Sequence, residues 1–307
     1  MNPFCAVKFL SLCLVAWSAQ KAWAVEEAPV VDPAAAAHSR FAKLGEHKVH
    51  YKSLGEGNKA VVLVHGWSCN HTIWKYQTSA LNGKARLILI DLPGHGKSDR
   101  PRIDYTMEHF AKAIDAVLVE AGVQQAALVG HSMGTPVVRQ YSRLYPKKTI
   151  ALVAVDGMLL RFGDKKQIAS FISQFEQGDF KAKASEFVDG MFAKKSPSES
   201  IKVTEARDLT KSIISEASQH VAVSAMRNIF DDVNWKDDVI EAPIQLIFAE
   251  HPRFPKDYKD QLLKIAPRLD FQPMSGVGHL LFLEKPEEFN QRLSSFLKSQ
   301  GVIKNEN

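Results

Sequence analysis

A serine flanked by glycines two positions away on either side, Gly130-His131-Ser132-Met133-Gly134, follows directly on the apolar run Ala126-Ala127-Leu128-Val129. A buried strand ending there hands the chain into a turn so sharp that side chains two residues before and after the serine would collide with backbone. Glycine removes that clash. The strain lifts the serine oxygen out of the sheet, and a following helix points its amide end at the same place. A serine hydroxyl becomes an effective nucleophile only when a base takes its proton and a third group holds the base in one tautomer. The chain must therefore also supply a histidine and a carboxylate.

His279 is the candidate base. In Met274-Ser275-Gly276-Val277-Gly278-His279 two glycines let a loop turn sharply after a strand expected over 269–272, and a helix opening at Pro286 follows. This arrangement delivers the histidine to the carboxyl edge of a sheet.

The elements that must hold these residues are visible as alternating patterns. Short apolar runs at 61–64, 87–90, 126–129, 151–155 and 244–248 suit strands buried on both faces of a parallel sheet. Met107, Phe110, Ala111, Ile114, Val117 and Leu118 form one helical stripe, ending at Gly122, and Phe289, Leu293, Phe296 and Leu297 form another. Strand alternating with helix predicts an α/β fold, a mostly parallel central sheet flanked by helices. The segment 48–54 is expected to add an antiparallel hairpin in front. From about 158 to 242 the pattern holds no convincing strand, but it holds helical stripes such as Ile168, Phe171, Ile172 and Phe175. We read 158–242 as a helical lid inserted after the sixth strand, with the core at 45–157 and 243–299. A separate helical domain is the alternative, but the alternation resumes at Ile244.

With 307 residues, 45% apolar and 24% charged, the chain is long enough for a large core. Lys8, the uncharged run from Phe9 to Ala19 and the small residues of Ala22-Trp23-Ala24 predict a signal peptide over 1–24, cleaved after Ala24. The run is about half the length needed to cross a bilayer, so no stable membrane anchor is expected after cleavage. Residues 25–44 read as a flexible leader. Cleavage leaves Cys69 as the one cysteine, with no internal disulfide to form, and removing Lys8 and Lys21 lowers the formal charge from +5 to +3. That balance is too mild to imply nucleic acid as a partner. The location expected is periplasmic or secreted, and the oligomeric state is not legible.

Four motifs in order resemble the α/β-hydrolase superfamily, in its lid-bearing serine esterase and haloperoxidase-like branch. They are Val64-His65-Gly66-Trp67, the run from Asp91 to Ser98 (Asp-Leu-Pro-Gly-His-Gly-Lys-Ser), the serine turn, and Gly276 to His279 followed by Leu283-Glu284-Lys285-Pro286. The resemblance covers about residues 45 to 299. It implies that the acid leaves the seventh strand, where family members usually carry a Gly-x-x-Asp loop. Here Ile247-Phe248-Ala249 is followed at once by Glu250-His251-Pro252, a departure in spacing and residue type. Glu250 is the first choice for the acid, because a longer side chain on a shorter loop reaches the same point and it precedes His279 by 29 positions. Asp156, ending the sixth strand in Val155-Asp156-Gly157, is the alternative, although an aspartate there often only caps the next turn.

The oxyanion hole is expected from backbone amides, which are fixed donors that need no reorganisation. Met133, the residue after the nucleophile, supplies one and Trp67 the other. Each is worth roughly 3 kcal/mol in the transition state. His65 and His95 are expected to bond loop backbone, and with His131 they show no metal-ligand spacing, so neither metal nor other cofactor is expected. Asp91 and Ser98 match a loop that is mainly structural in the family. Phe162, Phe171, Phe175 and Met191 lie in the lid, where they line an acyl pocket or pack on the core.

Ser132 stands where haloalkane dehalogenases and epoxide hydrolases, which resemble this fold, carry an aspartate. Acyl transfer to water is then the expected reaction, on a small-molecule acyl substrate such as a carboxylic ester or lactone. A thioesterase, a carbon-carbon bond hydrolase and a perhydrolase use the same constellation. A non-catalytic ligand-binding protein on this scaffold is the reading from a different class.

Overall fold

The computed structural model describes residues 31–161, 164–192, 201–251 and 256–304. The expected signal peptide and Phe162 lie outside these residues. Among the described residues eight strands form one sheet in the order β1-β2-β4-β3-β5-β6-β7-β8. They are β1 (Arg40–Leu44), β2 (His47–Leu54), β3 (Lys59–Val64), β4 (Leu87–Ile90), β5 (Gln125–His131), β6 (Thr149–Val155), β7 (Ile244–Ala249) and β8 (Leu269–Met274). The pairs β1·β2 and β2·β4 are antiparallel, and every other neighbour is parallel. The apolar runs of β3, β4, β5 and β6 are buried because helices cover both faces.

The helices are α1 (Pro33–Ala36), α2 (Lys75–Leu81), α3 (Met107–Glu120), α4 (Gly134–Leu144), α5 (Lys165–Glu176), α6 (Phe180–Met191), α7 (Ile201–Ser215), α8 (Gln219–Ile229), α9 (Tyr258–Ile265), α10 (Leu281–Glu284) and α11 (Pro286–Ser299). The stripe expected on α3 is its buried face, and that on α11 likewise. No helix among the described residues is long and apolar enough to cross a membrane.

The leader expected over 25–44 is corrected in its second half. Asp32 caps α1 through Ala34 N at 2.9 Å, and Ala34 is fully buried. β1 then pairs with β2, setting Phe41 opposite His50 with ring centroids 5.2 Å apart. This strand escapes a search for apolar runs because it is an edge: in Arg40-Phe41-Ala42-Lys43-Leu44 only Ala42 is buried.

Helices α5 to α8 fall between β6 and β7, where the insertion is expected. Asp164 opens α5 with a capping box completed by Gln167, and Asp179 caps α6. Both ends of the insertion are fastened to α4 by one buried side chain. The Arg139 guanidinium donates to Leu159 O at 2.8 Å, to Lys236 O at 2.8 Å and to Asp238 Oδ1 at 3.1 Å. The helix that starts behind Ser132 thus also anchors the segment that covers it.

Candidate active site

The carboxyl ends of β3, β5, β6, β7 and β8 lead into the segments carrying Trp67, Ser132, Asp156, Glu250 and His279. Ligands of open α/β sheets bind outside this edge. Ser132 sits at φ +52°, a left-handed conformation that a non-glycine residue holds only when its surroundings enforce it. The enforcement is packing. A Cβ on Gly130 would lie 2.3 Å from Gly134 O, and one on Gly134 would lie 2.6 Å from Val64 O. Ser132 N also donates to Val155 O at 2.9 Å, tying the turn to β6.

Asp156, like Ser132 and Ser68, is a non-glycine residue held at positive φ, here +44°. Its backbone N–H donates to Ile247 O at 2.8 Å, and its Oδ1 accepts from Ala249 N at 2.8 Å. Oδ2 is left to meet His279 Nδ1 at 2.5 Å. The preference for Glu250 over Asp156 is therefore corrected: Glu250 accepts from Ser275 Oγ at 2.5 Å on an exposed part of the loop, and the carboxylate on His279 is that of Asp156. The physical reason is direction. The left-handed backbone and two β7 contacts aim Asp156 inward, whereas Glu250 N bonds Met274 O at 2.9 Å and its side chain runs along the loop surface.

His279 is held from three further sides. Its N–H donates to Met191 O at 2.5 Å, at the end of α6. Its carbonyl accepts from His131 Nε2 at 3.1 Å, and the two imidazole rings lie 4.7 Å apart. Glu284 Oε1 accepts from Gly278 N at 2.9 Å, immediately before the histidine. The sequence offers Glu284 only as part of a motif and His131 only as the residue inside the serine turn. Neither supporting role carries a local signal, because both depend on where the 275–279 loop lands. Because His131 bonds a carbonyl through Nε2, that nitrogen carries the proton. Burial and the neighbouring His279 hold its pKa well below the usual imidazole value, so the ring stays neutral.

Trp67 follows β3 and is nearly buried, with Nε1 donating to Ala222 O at 2.7 Å. Phe175 and Phe187 meet its indole edge-on at centroid distances of 5.0 and 5.7 Å. This packing fixes the backbone that carries the Trp67 amide. His65 supports the same turn, receiving Leu92 N–H at Nε2 (3.1 Å) and donating from Nδ1 to Gly66 O (2.8 Å). Burial pushes its pKa down to about 4.

Ser132, His279, Asp156, Trp67 and Met133 all face one cavity of about 250 Å³. Its other walls are mostly apolar, including Met158, Met226, Ile229 and Phe230. Phe171 and Met191 line it, while Phe175 lies on the adjoining outer cavity. The cavity thus brings a serine hydroxyl and an imidazole backed by a carboxylate into one wall, the groups that proton transfer from a serine needs.

A buried cluster away from this cavity, His50, His71 and Asp91, has the residue types of a metal site. Its carboxylate is already saturated. Asp91 Oδ2 meets His50 Nδ1 at 2.7 Å and Lys97 N at 3.0 Å, and Oδ1 meets both His71 Nδ1 and His71 N at 2.8 Å. Burial pushes the Asp91 pKa up, but the hydrogen bonds from His50 and His71 outweigh it and hold the carboxyl well below its usual range. Ser98 Oγ donates to Asp91 O at 2.6 Å, in keeping with a structural loop.

Several known proteins share this plan. AB hydrolase superfamily protein YisY of Bacillus subtilis is 26% identical over 275 residues, covering 84% of this chain and 99% of its own. A 2-hydroxy-6-oxononadienedioate/2-hydroxy-6-oxononatrienedioate hydrolase of Burkholderia vietnamiensis is 27% identical, covering 82% of this chain and 92% of its own. Among solved structures, an esterase from Exiguobacterium antarcticum superimposes with a TM-score of 0.74 at 21% identity, over 85% of this chain and all of that one. A bromoperoxidase from Bacillus anthracis gives 0.72 at 26% identity with the same coverage. The model of the alpha/beta hydrolase family matches residues 61–292, which span β3 to α11 and so contain the serine turn, both carboxylates and the histidine loop. The chain belongs to the alpha/beta hydrolase family.

Proposed function

We propose that this hydrolase cleaves a carboxylic ester or lactone through an acyl-enzyme on Ser132. One observation carries the reading: His279 Nδ1 bonds Asp156 at 2.5 Å in the wall of the cavity that also exposes the strained Ser132. With Nδ1–H directed at the carboxylate, Nε2 keeps the lone pair that can take the serine proton. Ser132 Oγ then attacks the carbonyl, and the amides of Trp67 and Met133 receive the oxyanion. The imidazolium returns its proton to the leaving oxygen. Water repeats the cycle, its proton going to His279 and its hydroxyl to the acyl carbon; the bond from that carbon to Ser132 Oγ then breaks, His279 returns the proton to Oγ, and the acid departs. Export to the periplasm or medium, read from residues 1–24, belongs to the same proposal.

A carbon-carbon bond hydrolase is the second reading, favoured by the similarity to the Burkholderia vietnamiensis hydrolase, whose named substrates are a dienedioate and a trienedioate. The mostly apolar cavity supports an ester over a dicarboxylate, because a carboxylate buried without a cation is costly. The purified protein should hydrolyse p-nitrophenyl butyrate, and Ser132→Ala should abolish it. Hydrolysis by Ser132→Ala at the parent rate, or no turnover by the parent while 2-hydroxy-6-oxononadienedioate is cleaved, overturns the ester reading.

A further inference from the structure

Two cavities meet at His279, and they differ in chemistry. The inner one, about 250 Å³, contains Ser132, Trp67 and Met133, and its far walls are Met226, Ile229 and Phe230. The outer one, about 510 Å³, is lined by Gln174, Lys183 and Glu186 as well as apolar residues. Phe171 of α5, Phe187 and Met191 of α6, and His279 itself border both. No Lys or Arg is among the described residues lining the inner cavity.

We infer that the inner cavity takes an uncharged acyl group of about six to eight carbons, and that the outer cavity takes a polar leaving group. This rests on the ester reading above. The assignment of sides follows from the chemistry. The acyl carbon must touch Ser132 and the two amide donors, which lie only on the inner cavity. The leaving oxygen must lie within hydrogen-bond reach of the acid that protonates it, and His279 is the group that opens onto the outer cavity. Size follows from volume: a dry apolar cavity of about 150 Å³ holds a six-carbon benzene, so about 250 Å³, which must also hold the ester carbonyl beside Ser132, suits a flexible acyl chain of about six to eight carbons. Charge follows from the lining, since a carboxylate on the acyl tail would be buried among methionine, isoleucine and phenylalanine without a counter-ion. Polarity of the leaving group follows from Lys183 and Glu186, whose ion pair at 3.2 Å stands at the exposed side of the outer cavity.

The test is a series of p-nitrophenyl esters from acetate to dodecanoate, together with the hemi-adipate ester that puts a carboxylate at the tail of a six-carbon acyl chain. Binding of hexanamide and of adipamate, which need no turnover, is measured by calorimetry alongside. The expected kcat/KM rises at least tenfold from acetate to hexanoate, falls by dodecanoate, and drops about a hundredfold from hexanoate to hemi-adipate. Ile229→Trp should cut the hexanoate-to-acetate ratio about tenfold. A flat series, or equal rates on hexanoate and hemi-adipate, overturns the chamber assignment while leaving ester hydrolysis standing. No ester turnover, with hexanamide bound and adipamate refused, retains the apolar inner chamber and overturns hydrolysis instead. Failure of both hydrolysis and hexanamide binding overturns both.

Discussion

Asp156 and His279 stand 123 positions apart in sequence and meet at 2.5 Å between Oδ2 and Nδ1. Glu250, which leaves the strand next to Asp156, spends its carboxylate on Ser275. Asp156→Asn should therefore lower kcat on p-nitrophenyl butyrate by on the order of 10⁴, as loss of a triad carboxylate does elsewhere, with little change in the unfolding midpoint. Glu250→Gln should stay within about threefold of the parent. Comparable small losses in both variants would remove Asp156 from the mechanism.

The serine turn and the histidine were legible because their signals are local. Gly130 and Gly134 are required by contacts within the turn and with β3, and such requirements appear as residue types at fixed spacing. The buried strands were legible for the same reason, as runs of apolar residues. The acid was not. Val155-Asp156 and Ala249-Glu250 both place a carboxylate just past a strand, and neighbouring strand ends differ only in which side chain points at the 275–279 loop. Clusters such as His50, His71 and Asp91 were equally hidden, since they join residues 20 and 41 positions apart. The edge strand β1 carries one buried residue and leaves almost no apolar signal.

Acid should destabilise the fold through histidines buried neutral. Burial pushes His65 from 6.5 down to about 4 and His95 down to about 3. Between these values and 6.5 the unfolded chain binds protons that the folded chain refuses, so stability is complete above 6.5 and falls as pH drops. Each histidine contributes about 1.4 kcal/mol per pH unit across its window. The thermal midpoint should fall steeply between pH 6.5 and 4, and the His95→Gln variant should show a shallower fall. An unchanged midpoint down to pH 4 would contradict neutral burial of both rings.

Arg139 is 2% exposed and joins the two ends of the helical insertion to α4. Arg139→Met removes the donor from Leu159 O and Lys236 O together. Leaving the buried Leu159 O without a partner, together with the lost part-buried bonds to Lys236 O and Asp238, should cost about 2 to 4 kcal/mol in urea unfolding. A loss under about 0.5 kcal/mol would show that the insertion is held by its other contacts.

Export can be checked on the protein recovered from outside the cytoplasm. The proposed cleavage predicts Val25 as the first residue by amino-terminal sequencing. A chain that begins at Met1 and stays in the cytoplasm would contradict it.

The most direct test of the central claim is to trap the acyl-enzyme. The purified protein is quenched in acid within milliseconds of mixing with p-nitrophenyl butyrate, digested, and examined by mass spectrometry. One butyryl group is expected on the peptide containing Ser132 and none in Ser132→Ala, and a reactive fluorophosphonate, which phosphonylates the serine with loss of fluoride, should label a His279→Gln variant only at a much reduced rate. Turnover with no acyl adduct on Ser132, or an adduct on another residue, would contradict it.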